Sequence, residues 1–264
     1  MKHIFVIFLF LNIHLATLGA IMGKIDHNTM NYQNRIVDSK TNKPLSNAKI
    51  TIPEIHYTTY SDHNGVFQLN ADVADKTVLF VEKDGYKTFS LTVDNGVIKG
   101  PLKLGIEQSN PFDMQITSGV MHLGDNMFSP NSANSSDFRI GANGYYMAQN
   151  FKRPMSNQNQ DVVVKIGTII GIDTKKAKLQ GQNKIAKVYS SATEVFVNGY
   201  KIASIELNGD NLEFKIPKNI LKEDNELIIQ TGRNLFQFDY VDYDDIELAN
   251  VRIEVKQKQF WARK

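Results

Sequence analysis

Short runs in which apolar and polar residues alternate constrain the fold of this chain more than any other feature. In residues 48–52, 89–93 and 212–216, apolar side chains occupy every second position. A period of two is typical of a strand with one buried face. Turn-forming sequences separate these runs, and residues 34–105 contain no apolar 3.6-residue period of helical length. The pattern predicts an all-β protein.

Composition excludes several classes of site. The chain has 264 residues, 42% of them hydrophobic, which is enough for one large domain or two ordinary ones. Thirty Lys and Arg residues balance 28 Asp and Glu residues, so the net charge of +2 indicates no nucleic-acid partner. Cysteine is absent, which excludes disulfides, zinc fingers, iron–sulfur sites and cysteine nucleophiles.

Residues 1–23 are typical of a secretory signal peptide. A short basic start precedes an apolar run over 4–18, and small residues follow at Ala20 and Gly23. A membrane anchor is the alternative, but the run is shorter than the ~20 apolar residues that a spanning helix needs. We expect cleavage after Ala20 or Gly23 and a soluble bacterial protein that is secreted, extracellular or in the cell envelope. No membrane span is expected after cleavage, and the oligomeric state stays open.

Residues 33–105 carry the turn chemistry and strand spacing of a small domain. Pro44 fixes φ in one turn, and Gly65 and Gly85 end two others, where a positive φ is favoured. The motifs of this stretch are Arg35-Ile36-Val37-Asp38, Thr41, Pro44-Leu45, Ala48-Lys49-Ile50, Thr59-Tyr60-Ser61-Asp62, Gly65-Val66-Phe67 and Asp84-Gly85-Tyr86. In order and spacing they resemble the carboxypeptidase regulatory-like domain, a small transthyretin-like β-sandwich.

That resemblance implies a fold and an extracellular setting. It implies no peptidase activity, because in this family the domain accompanies the catalytic unit and has no catalytic residues. Asn34 stands where the family pattern usually has glycine. Asparagine tolerates positive φ, so this difference leaves the predicted fold unchanged.

A second domain is expected over residues 110–256. Asn198-Gly199 separates two β-prone runs and predicts a hairpin with a two-residue turn. Near the end of the domain the alternating apolar positions change from even-numbered to odd-numbered residues around Ala249-Asn250. One extra residue in a β-bulge would cause this shift in parity.

Three stretches of this second domain, 197–202, 214–217 and 221–229, are similar to the galactose-binding-like jelly roll. That fold includes the sugar-binding domains of family 2 glycoside hydrolases. The sequence therefore predicts a small transthyretin-like β-sandwich followed by a jelly-roll β-sandwich.

The search for catalytic motifs is negative. The sequence has no His-Glu-x-x-His pair, no Gly-x-Ser-x-Gly nucleophile elbow, no phosphate-binding glycine loop and no dinucleotide fingerprint. The histidines that follow the signal peptide show no local metal-ligand spacing. We expect a protein that is not an enzyme.

An acidic cluster before the last strand is the candidate metal site. Asp242, Asp244 and Asp245 lie close together in sequence, with Asp239 and Glu247 on either side. Calcium takes six to eight oxygen ligands, and crowded carboxylates repel one another unless a cation neutralises them. The spacing differs from the helix–loop–helix calcium loop. A structural Ca²⁺ at Asp242, Asp244 and Asp245 is one hypothesis, and a solvated acidic turn is the alternative.

Aromatic residues are the candidate ligand contacts. Tyr145, Tyr146, Tyr240 and Tyr243 lie in polar, loop-like sequence, and aromatic rings pack well on the apolar faces of sugars. Core packing is the alternative role for each. The favoured function is a secreted or cell-surface binding protein without catalysis, with a polysaccharide or surface glycan as its partner. The alternatives are a structural or adhesion component making protein–protein contacts and an accessory part of a secreted hydrolase.

Overall fold

The fold is all-β, as predicted. A computed structural model describes residues 33–73, 76–126, 138, 140–183, 189–236 and 238–258. The predicted signal peptide at 1–23 lies outside these residues. None of the helices in the described ranges has the length and apolar character required to cross a bilayer.

The first sandwich spans the region that resembles the carboxypeptidase regulatory-like domain. Its elements are β1 (Asn34–Asp38), β2 (Lys49–Ile52), a 3-10 helix (Pro53–Ile55), β3 (Tyr57–Tyr60), β4 (Val66–Phe67), β5 (Thr77–Glu82), β6 (Phe89–Val93), the short helix α1 (Asn95–Ile98) and β7 (Lys103–Ile106). Sheet I has the strand order β4-β1-β7, and sheet II has the order β3-β2-β5-β6. The alternating residues Ile50, Ile52 and Val93 are buried in the core that the two sheets enclose.

The predicted turns of this sandwich form as their residues require. Gly65 has a φ of +72°, and a Cβ there would lie 2.4 Å from the carbonyl oxygen of Ile36, so only glycine fits. Asp62 begins this turn, and its Oδ1 accepts hydrogen bonds from the amides of Asn64 and Val66, both at 2.8 Å. This is the side-chain-to-backbone bonding for which aspartate is favoured in turns.

The second sandwich follows after a short connection. Its elements are β8 (Met114–Leu123), β9 (Tyr146–Lys152), β10 (Gln160–Ile170), the short helix α2 (Lys175–Leu179), β11 (Thr193–Val197), β12 (Tyr200–Ile205), β13 (Gly209–Lys215), β14 (Asp224–Gln230) and β15 (Ile246–Gln257). Sheet III has the order β13-β10-β15-β8, and sheet IV has the order β12-β11-β14-β9; the strands within each pair antiparallel. A core that includes Ile166, Leu227 and Ile253 lies between them.

Two local predictions in this sandwich are confirmed. Asn198 and Gly199 both have positive φ, +52° and +80°, and connect Val197 to Tyr200, its partner in the β11–β12 pair. In the β15–β8 pair the register shifts after Ala249, and Asn250 has a φ of +60°. The parity shift in the sequence therefore does mark a bulge.

The two sandwiches contact each other through sheets II and III. Val78 and Phe80 of β5 pack against Ile170 of β10 and Ala249 of β15 in a small apolar cluster. As a result, β10 and β15 are buried on both faces for most of their length. The prediction that 33–105 and 110–256 are separate domains, and that 33–105 can fold alone, stays a prediction.

Candidate functional site

Three of the four predicted ligand-binding tyrosines lie together at one end of the second sandwich. The rings of Tyr145 and Tyr243 are stacked, with centroids 4.1 Å apart and planes 9° from parallel. Tyr146 tilts against Tyr145 at a centroid distance of 5.0 Å. Tyr145 is 36% exposed and Tyr146 is 46% exposed, so both rings remain accessible. We refer to these three residues as the tyrosine cluster.

Backbone pairing holds the cluster in place. Tyr146 begins the edge strand β9 and pairs with Gln230 at the end of β14. The amide of Thr231 continues this pairing by donating to the carbonyl oxygen of Tyr145 at 2.9 Å. From the other side, the amide of Tyr243 donates to Asp125 Oδ2 at 2.9 Å. Residues far apart in sequence thus fix the two stacked rings.

Tyr240, the fourth predicted tyrosine, lies outside the stack. It is 47% exposed, and none of the ring contacts among the described residues involves it. It belongs to the connection between β14 and β15, residues 231–245, which we call the connecting hairpin. This hairpin is closed by backbone bonds from Asn234 N to Asp242 O, 2.8 Å, and from Asp244 N to Gly232 O, 3.0 Å.

The connecting hairpin also exposes large apolar side chains. Phe238 is 88% exposed, and Phe236 is 55% exposed. Leu235 and Val241 are each 51% exposed. Because exposed apolar residues seldom cluster without a partner or ligand, this hairpin extends the candidate surface beyond the tyrosine cluster.

The three aspartates predicted as calcium ligands are buried, and each has its own partner. Asp242 Oδ2 accepts from Asn234 Nδ2 at 2.9 Å, and Asp244 Oδ2 accepts from the amide of Asp173 at 3.1 Å. Asp245 Oδ1 lies 2.7 Å from Nε2 of His122, whose side chain is fully buried. The alternative of a solvated acidic turn therefore does not describe these aspartates.

Electrostatics at the aspartates follow from this burial. Burial raises the pKa of Asp244 well above its usual value, and the nearby carboxylate of Asp173 adds to the effect. Burial also raises the pKa of Asp242, and Asp125 and Asp245 add smaller contributions. Within the ranges that the structure describes, no three acidic or histidine side chains are grouped so as to hold a metal ion. The calcium site stays a prediction.

His122 is a part of this region that sequence reasoning did not identify. Its ring packs against Phe138 at a centroid distance of 4.7 Å, and its Nδ1 lies 2.5 Å from the carbonyl oxygen of Ile140. No local sequence pattern could indicate its partner, because Asp245 is 123 residues away.

Comparisons with known proteins bear on the first sandwich most directly. Residues 33–110 match the family model described as the CarboxypepD_reg-like domain. This match confirms the predicted family of the N-terminal part and does not extend to the second sandwich. No curated protein matches the chain.

Two solved structures resemble the chain weakly. One is a crystal structure of BuGH86wt in complex with neoagarooctaose, with 11% identity, a TM-score of 0.28 and coverage of 79% of this chain. The chain spans only 27% of that protein. The other is a Bacteroides fragilis protein of unknown function described as membrane-associated, with 9% identity, a TM-score of 0.22 and coverage of 86% of this chain and 97% of that one.

Proposed function

We propose that the protein is a secreted or cell-surface binding protein without catalysis, which takes carbohydrate on the tyrosine cluster. The observation that supports this most is the ordered stack of Tyr145 on Tyr243, with Tyr146 beside it and accessible. In this proposal the first sandwich supports the second and does not itself bind the glycan.

The physical basis is the two-sided chemistry of a sugar ring. Its C–H face packs against an aromatic ring, while its hydroxyls seek carboxylates and amides at the edge. The tyrosine cluster supplies the rings, Asp125 accepts from the amide of Tyr243, and the exposed Asp239 lies on the same connecting hairpin as Tyr243. Because the cluster is held by backbone pairing, little conformational entropy is lost on binding.

The topology of the second sandwich supports the finer proposal that it is a jelly roll. In chain order its first strand pairs with its last in sheet III, and its second pairs with its second-last in sheet IV. This nested pairing of eight strands in two sheets is the arrangement of a jelly-roll sandwich. Lectin-type domains are among the proteins that use it.

Affinity electrophoresis against neutral and acidic polysaccharides, followed by calorimetry on the best ligand, tests the proposal. Tyr146→Ala should weaken binding about tenfold, which corresponds to roughly 1.4 kcal/mol. Tyr200→Ala is the matched control, because Tyr200 is 60% exposed on β12, at the opposite edge of sheet IV. Equal effects of the two variants, or no binding to any glycan, would contradict the proposal.

A protein partner is the second candidate, and the connecting hairpin favours it. Phe238, Leu235 and Val241 are exposed and apolar, which suits a protein interface better than a hydrated glycan. Phe238→Ser should then reduce adhesion to cells or matrix while glycan affinity stays unchanged. If Phe238→Ser and Tyr146→Ala both abolish glycan binding and leave adhesion intact, the protein partner is contradicted and carbohydrate binding alone accounts for the function.

A further inference from the structure

The outward face of β15 is polar in sequence and yet buried. This face points away from the core between sheets III and IV and carries Glu247, Asn250, Arg252 and Glu254, which are 0, 1, 8 and 1% exposed. Buried charges are tolerated when they are paired. The partners of these four residues therefore show what the face is built to contact.

Several of the partners come from the first sandwich. Asn250 Nδ2 and Arg252 Nη1 both donate to the carbonyl oxygen of Thr88, at 2.7 and 2.6 Å. Glu254 Oε2 lies 3.4 Å from the ammonium of Lys87, which also contacts Asp113 at 2.9 Å. Two successive residues just before β6 thus contact three residues of this face, and Arg252 also bonds to Asn250 and Glu254 beside it.

The fourth residue, Glu247, faces another carboxyl group. Burial, followed by the contact with Glu54 in the 3-10 helix of the first sandwich, raises the pKa of Glu247 to about 9. The group is therefore protonated at neutral pH. The contact does not bring two negative charges together.

A close approach of Ser90 to Gly167 helps to fix how the sandwiches meet. A Cβ on Gly167 of β10 would lie 2.2 Å from Ser90 Oγ and 2.8 Å from Asn250 Cβ. Beside it, Thr168 Oγ1 donates to Ser90 Oγ at 3.0 Å. At the edge of the contact, Asp210 Oδ1 accepts from both the amide and the hydroxyl of Thr92, each at 2.9 Å.

We propose that the outer face of sheet III is a permanent docking surface for the first sandwich, so that the two sandwiches work as one rigid body. Relative motion is the usual expectation for two domains joined by a short connection. Here a directional set of hydrogen bonds and a glycine-dependent close approach specify one orientation. The outer face of sheet III is then closed to ligands, which leaves the loop ends, including the tyrosine cluster, for binding.

A protease site inserted between Asn110 and Pro111 of the full chain tests this arrangement. Pro111 is exposed and lies in the turn before β8. After cleavage the two halves should elute together on size-exclusion chromatography at micromolar concentration. Separation of the halves would overturn the proposal.

Paired variants test the specific contacts. In the cleaved protein, Gly167→Ala should weaken association of the halves at least tenfold, whereas Gly119→Ala should not, because a Cβ on Gly119 of β8 meets nothing within 4 Å. Asp210→Ala should also weaken association, and it lies at the edge of the contact, where loss of the fold is not expected. Circular dichroism is the check that each variant is folded. Equal association in all three variants and the parent would overturn the assigned contacts.

Discussion

At the residue scale, the hydrogen bonds of Asp38 explain why Asp38, Thr41 and Tyr86 occur together among the motifs of the first sandwich. Its carboxylate accepts hydrogen bonds from the amides of Lys40 and Thr41, the hydroxyls of Thr41 and Tyr86, and the amide group of Gln108, at 2.7–3.1 Å. One side chain thus joins the turn after β1 to the turn after β5 and to the end of β7. The hydrogen bond from the Thr41 amide is the largest cause of a pKa lowered to about 2.

This lowered pKa gives a prediction about acid stability. Because the pKa of Asp38 is lower in the folded state than its ordinary value of 3.8, the unfolded state binds more protons between these values. The stabilisation is present above the ordinary pKa and is lost as the pH falls towards 2. Asp38→Asn should lower the melting temperature at pH 7. Between pH 4 and pH 2, its melting temperature should fall by less than that of the parent protein.

Thermal unfolding followed by circular dichroism at several pH values measures this effect. Asp72→Asn, at an exposed position, is the control and should follow the parent protein. If the melting temperature of Asp38→Asn falls with acid by as much as that of the parent, the role assigned to the lowered pKa of Asp38 is contradicted.

At the element scale, the β11–β12 hairpin is fixed both by its own turn and by its neighbours. The side chain of Asn198 donates to the carbonyl oxygen of Ile220 at 2.7 Å and to Asn225 Oδ1 at 2.9 Å. It also accepts from the amide of Glu226 at 3.0 Å. Asn198 therefore provides both a left-handed turn conformation and a link to the connection that precedes β14.

Two substitutions separate these contributions. Asn198→Ala should destabilise the protein by about 2–3 kcal/mol, because it loses the hydrogen bonds and places alanine at positive φ. Asn198→Gly keeps the backbone free of strain and should lose about 1 kcal/mol less. Urea unfolding measures both. Equal losses would show that the turn conformation contributes little.

The calcium hypothesis belongs to the connecting hairpin. If Asp242, Asp244 and Asp245 share a Ca²⁺, the protein melts at a higher temperature in calcium than in chelator, by an amount that corresponds to about 2.7 kcal/mol at a hundredfold excess over Kd. Asp244→Asn should then lower the melting temperature in calcium and have little effect in chelator. Equal melting of the parent in both conditions would contradict the hypothesis.

At the scale of the whole molecule, two cores are joined by a contact of mixed character. Each sandwich has its own apolar core, while the contact between them combines a few apolar side chains with buried polar groups. Polar groups at the contact can be hydrated when the sandwiches are apart, so separation does not leave a large apolar surface exposed. Each sandwich can therefore have some stability of its own.

Excision of residues 33–105 tests this independence. The fragment should unfold cooperatively with only a few kcal/mol of stability, because about 70 residues without disulfides lie near the lower limit for a single core. It should also have a lower melting temperature than the intact protein, because Val78 and Phe80 become exposed to solvent when the second sandwich is absent. Differential scanning calorimetry of the fragment and the intact protein gives the comparison, and a fragment without a transition would contradict the predicted boundary.

Much of the fold could be predicted from local sequence. Alternation predicted the strands, Asn198-Gly199 predicted a hairpin turn, and the parity shift at Ala249-Asn250 predicted a bulge. Neighbouring residues determine these features, because each depends on local backbone conformation or on which face of a strand is apolar. The candidate tyrosines were also identified from sequence, but their grouping depends on strand pairing between distant segments.

The sequence by itself determined the all-β class, the order of strands and turns, and the family of the first sandwich. Only the tertiary structure decided which polar residues are buried and which partners they contact. The pattern Glu247, Ala249, Arg252 and Glu254 is what a solvent-facing strand surface would show, and yet the first sandwich covers it. Arg252 meets the carbonyl of Thr88 across 164 residues of chain. Local patterning cannot encode such a contact, because a polar side chain is equally satisfied by water or by a distant partner.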